Sequence, residues 1–200
     1  MTSQVIVSCI VLTSMVVTIA NAQEPRRRLG DPPQSEGQGL LTITRAPGQI
    51  PQSLKELCDL STVIAEGVVT TTFPSRGERS LETDALIDVT NVLKGLNTIR
   101  QALISQGGGA KGGLSIVPTQ YSLVRPGEKY LLFLREDERP NMPNPANVRR
   151  YLVAGVWSGL FYFENDRMQA RASRLDWLQA KYEGLTLEQI KRELQDLDCG

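Results

Sequence analysis

The sequence predicts a mainly β fold, a small closed barrel of about five or six strands with C-terminal α-helices. Three observations predict it. Short runs rich in Val, Ile and Thr recur between Thr62 and Phe163. Glycines interrupt or end those runs, where a barrel wall must coil. After Ser173 the apolar period switches from 2 to 3.6 and helix-capping residues appear.

The elements follow in chain order. Val5–Ala20 (VIVSCIVLTSMVVTIA) is apolar or hydroxylic and uncharged. It falls short of the roughly 20 residues that a membrane-spanning helix needs. It ends at Ala20-Asn21-Ala22, a small-residue cleavage signature, so residues 1–22 are expected to be a secretory signal. No Lys or Arg precedes the run; an uncleaved anchor and a buried strand are the alternatives. Residues 23–53 are rich in Pro, Gly, Gln and Arg, with no sustained period beyond Leu40–Ile43. Such a segment buries too little apolar surface to offset its ordering entropy and reads as a flexible arm. Arg26-Arg27-Arg28 reads as solubilising charge, with a processing site or an anionic contact as the alternatives.

Residues 54–172 are expected to form the barrel. Thr62–Phe73 (TVIAEGVVTTTF) is the first strand, with Gly67 marking a bulge or sharp coil. Pro74–Ser80 is a turn. Leu81–Leu93 sets Ala85, Ile87 and Val89 on one face against Asp84, Asp88 and Thr90 on the other. Thr98–Ser105 is the third strand, and Gly107–Gly113 reads as a flexible loop. Tyr130–Leu134 (YLLFL) follows the Pro126-Gly127 turn and is apolar on both faces. Arg135–Asn147 carries prolines that cannot join a sheet interior. Tyr151–Trp157 and Leu160–Phe163 read as a hairpin around Ser158-Gly159.

Residues 173–200 read as helices packed on the barrel. Ser173 with Asp176 is a capping box that puts Leu175, Leu178 and Tyr182 on one side, and Gly184 is the stop. Thr186 with Gln189 is a second box, opening the stripe Leu187, Ile190, Leu194 and Leu197.

Composition excludes several function classes. The 200 residues hold 22 basic and 22 acidic side chains and no histidine. Ser-His-Asp and Cys-His catalysis and His-ligated metal sites are therefore excluded. Zero net charge supplies no overall field for nucleic acid or anionic lipid. Of the 3 cysteines, Cys9 lies in the expected signal, which leaves Cys58 and Cys199. In an oxidising compartment that pair is most simply one disulfide; two separate buried thiols are the alternative. Such a bond closes a loop worth roughly 5 kcal/mol in the chain-entropy model.

Other motifs point to no chemistry. Gly107, Gly109 and Gly112 spell G-x-G-x-x-G, but Leu114–Val117 and Pro118 follow where a dinucleotide site needs a helix. Glu136, Asp137 and Glu138 lack the spacing of a calcium loop, and Glu164 with Asp166 reads likewise as solvated charge. Tyr130, Phe133, Tyr151, Trp157, Phe161 and Phe163 have apolar flanks and read as core, not as base-stacking platforms. No catalytic residue, cofactor or metal is expected.

The order of segments carries a resemblance. Cys58 precedes Leu60–Val69 (LSTVIAEGVV), followed by Ile87–Gly95 (IDVTNVLKG), Gly127–Leu134 (GEKYLLFL) and Gly155–Phe161 (GVWSGLF). Across about residues 54–164 this resembles the netrin-type, or tissue-inhibitor-of-metalloproteinases-like, OB barrel of secreted proteins. The resemblance implies an OB-like barrel. In the inhibitor branch the first cysteine is the mature N-terminus, and its free amine and carbonyl hold the protease zinc. Here the expected mature terminus is Gln23, so the nitrogen of Cys58 is an ordinary amide. Asp59, Leu60 and Ser61 match the family's inhibitory edge by order.

The expected function is a secreted (extracellular or periplasmic), non-enzymatic module that binds a protein or peptide. No nucleic-acid partner is expected, and no membrane attachment once the signal is removed. OB barrels commonly bind through two loops. These are Pro74–Arg79 and Arg139–Pro145, with Pro74, Arg76, Glu78, Arg79, Arg139, Pro140 and Asn141 as contact candidates. The alternatives are a metalloproteinase inhibitor of the tissue-inhibitor type and a hydrolase using carboxylates alone.

Overall fold

The computed structural model describes residues 50–73, 81–111, 114–116, 118, 121–138, 144–171 and 177–199. The expected signal and most of the arm lie outside the described residues, as do the Ser173–Asp176 capping box and Pro74, Arg76, Glu78, Arg79, Arg139, Pro140 and Asn141.

A short helix, α1 (Leu54–Asp59), precedes the barrel, where the sequence pattern alone marks no helix. Six residues are too few to display a helical period. Its cap is clear in retrospect: the Ser53 side chain accepts from the Glu56 N–H at 3.1 Å. Leu54, Leu57 and Cys58 face inward and are buried.

The strands are β1 (Val63–Phe73), β2 (Glu82–Lys94), β3 (Gln101–Gly107), β4 (Gly109–Lys111), β5 (Leu114–Ile116), β6 (Lys129–Glu136), β7 (Arg150–Val153), β8 (Leu160–Glu164) and β9 (Arg167–Gln169). Strands pair in the order β1-β2-β3-β7-β6, and β6 returns to β1, closing a five-stranded OB-like barrel. Every pairing is antiparallel except β3 with β7. β1 serves two neighbours along its length and has three register shifts against β2. Gly67 sits at one of them, where a Cβ would lie 2.9 Å from the Asp88 carbonyl oxygen. The expected bulge glycine is therefore a close-approach position.

Two cores share the wall. Inside the barrel lie Val63, Ala65, Ile87, Ile104, Leu132 and Tyr151, with small Ala85 and Ala102 suiting a narrow bore. Outside, Ile64, Leu131, Phe133 and Phe161 pack against helices α1, α2 (Trp177–Tyr182) and α3 (Leu187–Asp196). β6 is buried on both faces, which is why YLLFL shows no alternation. The Thr186–Gln189 capping box forms as expected. Lys191 of α3 reaches across to Glu66 of β1 at 3.1 Å, and the Asn91 amide donates to the same carboxylate at 2.9 Å.

Cys58 and Cys199 are disulfide-bonded, with Cα atoms 6.0 Å apart, so the bond ties α1 to the residues just past α3. The parallel seam of β3 and β7 has only two partner pairs. A buried clasp reinforces it: Arg150 donates to Asp84 through both terminal nitrogens, at 2.8 and 3.1 Å, and also to the Ser105 hydroxyl. That hydroxyl donates in turn to Asp84 at 2.6 Å.

Two expectations are corrected. Residues 150–164 are not a hairpin. β7 and β8 lie end to end along one edge of β6, with Val153 opposite Leu134 and Leu160 opposite Leu132. Residues 154–159 loop out between them while Phe133 keeps both backbone bonds, to Gly159 at 2.9 Å and from Ala154 at 2.8 Å. The Ser158-Gly159 dipeptide marks an excursion within one strand line, which local sequence does not distinguish from a turn between partners. The glycine stretch after β3 is also not wholly loop, since β4 and β5 pair as a small hairpin. Among the described residues no helix is long and apolar enough to cross a membrane.

Candidate binding site

The barrel has two mouths, and they are built differently. The first lies where β6 begins. Here the interior Tyr130 hydroxyl donates to Glu128 at 2.7 Å. Arg171 donates to the same carboxylate at 2.6 Å and to the Tyr130 oxygen at 3.4 Å. Its guanidinium lies 3.4 Å from the centre of the Tyr162 ring, a cation–π contact. The Arg125 N–H completes the Glu128 shell at 2.8 Å. Gln179 of α2 accepts from the Arg171 N–H at 3.1 Å and donates to Trp157 and Leu160 carbonyls at 3.1 and 3.0 Å. Trp157 stacks on Tyr121, ring centres 5.7 Å apart. The remaining cavity is about 10 Å³, room for one water at most.

Titration behaviour follows from this packing. Burial alone would raise the Glu128 pKa, but hydrogen bonds from Tyr130, Arg171 and the Arg125 N–H outweigh it and lower the value. Burial and the adjacent Glu128 carboxylate push the Tyr130 phenol far upward, so it stays a neutral donor. This mouth is a sealed plug.

The second mouth lies where β6 ends and β7 begins. An open groove of about 430 Å³ is lined there by Leu96, Ile99, Arg100, Val148, Arg149 and Tyr151. That volume falls within the range of small-ligand and peptide-side-chain pockets. A second hollow of about 230 Å³ shares Ile99 and Arg100 and runs along β2 past Val89 and Asn91.

Local geometry explains the groove. The β2–β3 ladder holds as far as the Val89 N–H to Arg100 carbonyl bond at 2.9 Å, after which residues 95–99 peel away. Gly95 permits the departure at φ 103°, where a Cβ would lie 2.9 Å from the Thr62 carbonyl oxygen. The loop leaves Leu96 59% exposed. On the opposite rim, Asn144 brackets Val148, its Oδ1 accepting from the Val148 N–H at 3.3 Å. That turn presents Val148 and Arg149. Arg149 pairs with Glu136 at 2.9 Å, both half exposed. Arg100 donates to the Asn97 carbonyl at 2.9 Å.

Tyr151 forms the floor. Its side chain is wholly buried, and its hydroxyl makes no hydrogen bond of normal geometry, with the Arg149 guanidinium as its nearest polar neighbour. Burial raises its pKa; the Arg149 guanidinium opposes that rise by its charge and its approach to the phenol oxygen, and the Glu136 charge adds slightly to it.

The described contact candidates from the sequence do not line this groove. Asp59 pairs with Lys55 at 2.5 Å in solvent. Leu60 packs against the outer core. Ser61 is buried, its hydroxyl donating to the Leu57 carbonyl at 2.6 Å. Of the Arg139–Pro145 loop, Asn144 and Pro145 are described and neither lines the groove. Leu96, Arg100, Arg149 and Tyr151 were not anticipated. The available signal was Leu96, a large apolar residue directly after the Lys94-Gly95 stop.

No protein-family model matches the chain, and no curated protein is significantly similar to it.

Proposed function

We propose that this chain is a secreted, non-enzymatic OB-like module that binds a protein or peptide partner, and that the open mouth is where it binds. The observation that carries this reading is the groove itself. It is a concave, partly apolar site of about 430 Å³ beside a solvent-exposed Leu96, at the mouth that the described residues leave open. The disulfide fits an oxidising compartment. The buried acids Glu66 and Asp84 each face a cation, so neither supports a carboxylate hydrolase. The tissue-inhibitor alternative gains nothing at Cys58. That residue sits inside α1, and its carbonyl already accepts from Lys94 at 2.8 Å and from the Ser61 N–H at 3.1 Å.

The test is selection of a random octapeptide display library on the disulfide-intact protein, with hydrogen exchange to map the binders. Protection of residues 95–101 and 148–151 is the expected result, abolished by Leu96→Asp. Protection confined to other surfaces, or no enrichment, rejects the reading. Sequencing the N-terminus of protein recovered from the medium of expressing cells tests export, with Gln23 expected first.

A further inference from the structure

The two mouths share more of their chemistry than their shapes suggest. The interior core carries tyrosines at both ends of the bore, Tyr130 with Tyr162 at the plug and Tyr151 at the groove. Tyr130 and Tyr151 each have an arginine beside them, Arg171 and Arg149. At the plug a carboxylate completes the set: Glu128 accepts from both the Tyr130 hydroxyl and the guanidinium. At the groove that carboxylate is missing from the phenol. Glu136 is the counterpart of Glu128 at the far end of β6, but it pairs with Arg149 on the solvent side and makes no hydrogen bond to the Tyr151 hydroxyl, which has Arg149 near it and no hydrogen bond of normal geometry.

A buried hydroxyl without a hydrogen bond of normal geometry is uncommon in folded proteins, because the lost hydration is not repaid. The groove also has a sign. Among the described residues its lining includes two guanidinium groups and no carboxylate. A guanidinium has five N–H donors, and the Glu136 pair engages Arg149 through Nη1. Apolar Leu96, Ile99 and Val148 stand next to these donors.

Building on the binding-module reading, we infer that the groove receives an acidic peptide segment. A Glu or Asp carboxylate of the partner accepts from the Tyr151 hydroxyl and the Arg149 guanidinium, as Glu128 does at the plug. A neighbouring apolar side chain of the same peptide packs on Leu96 and Ile99. The half-exposed Arg149 swings with the incoming carboxylate and uncovers the hydroxyl. Glu136 competes for the same guanidinium, so it limits affinity and does not contribute to it.

The experiment takes the octapeptides enriched on the disulfide-intact protein and measures their affinities by calorimetry. The expected motif is an acid within two residues of a large apolar side chain. Replacing that acid by its amide is expected to weaken binding at least tenfold. Tyr151→Phe and Arg149→Gln are each expected to weaken it about fivefold or more, while Glu136→Gln leaves it equal or tighter. Urea midpoints for each variant confirm that the fold is intact. Because Tyr151→Phe removes only a hydroxyl without a hydrogen bond of normal geometry, it is expected to fold. Peptides that protect the groove but lack an acid, or that ignore Tyr151→Phe and Arg149→Gln, overturn this inference and leave the binding-module reading standing. A loss of binding in Glu136→Gln also overturns it. Enrichment that never protects the groove rejects both.

Discussion

Tyr130 and Tyr151 occupy the same kind of place, on inward-facing positions of adjacent strands, within one core. One has a carboxylate and a guanidinium on its hydroxyl, and the other has only the Arg149 guanidinium near it, without a hydrogen bond of normal geometry. The difference is not burial, since both side chains are at most 2% exposed. It lies in what the surrounding elements deliver. α2 and the segment before it bring Gln179 and Arg171 to the first mouth, and the turn before β6 brings Glu128. The second mouth is bordered by residues 95–99 and 144–149, whose polar side chains are exposed while Ile99 packs on the interior core. A polar group at a barrel mouth is stabilising when the chain supplies its partners, and it carries a desolvation cost when the chain does not.

The comparison breaks most sharply on its two glutamates. Glu128→Ala strips a carboxylate from a largely buried Arg and Tyr, and is expected to cost about 3 kcal/mol. Glu136→Ala removes an exposed ion pair and is expected to cost under about 0.5 kcal/mol. Urea denaturation at constant m-value measures both; equal losses would mean that the plug is no more structural than the groove. pH sharpens the same contrast. The folded Glu128 pKa lies below its ordinary value of 4.5. Its contribution is therefore full above about pH 4.5 and is lost as pH falls through the lower folded value. Wild-type protein is expected to lose stability faster than Glu128→Gln on acidification from pH 5 to pH 3. Parallel curves would remove Glu128 as the source.

The tyrosines come next. Tyr130→Phe deletes a donor to a charged carboxylate and is expected to cost about 2 kcal/mol. Tyr151→Phe deletes a hydroxyl with no hydrogen bond of normal geometry and is expected to be neutral or stabilising by up to about 1 kcal/mol. Thermal or urea midpoints settle the pair. A comparable loss in both would show that Tyr151 is satisfied in solution.

Legibility in the sequence follows the range of each interaction. Barrel strands, the Thr186–Gln189 cap and the cysteine pair were legible because periodicity, capping and an even thiol count are local or arithmetic signals. YLLFL was legible as doubly buried, though not as the strand that pairs with three others, β1, β7 and β8. The false hairpin at Ser158-Gly159 shows the limit. A turn signal says that the chain bends, and only the tertiary neighbour decides whether a partner strand lies between. The groove was not legible because it is made by a departure, residues 95–99 leaving a ladder that pattern alone would continue. A buried tyrosine hydroxyl without a normal hydrogen bond has no sequence signature at all.

The excursion at residues 154–159 offers the smallest and most local test. Gly155 and Val156 both have left-handed backbone, at φ 62° and 64°. Glycine takes that conformation freely, whereas a β-branched residue does so under strain. The next residue, Trp157, stacks on Tyr121 and accepts from Gln179, so the strained turn serves the plug and not the groove. Asn tolerates left-handed backbone better than Val without the entropic cost of Gly. Val156→Asn is therefore expected to raise stability by about 1 kcal/mol and to leave peptide affinity at the open mouth unchanged. A lower midpoint would mean that the half-buried Val156 side chain packs for more than its strain costs. An altered affinity would mean that the two mouths are mechanically coupled through the β7–β8 strand line, and the contrast between plug and groove would then describe one linked device.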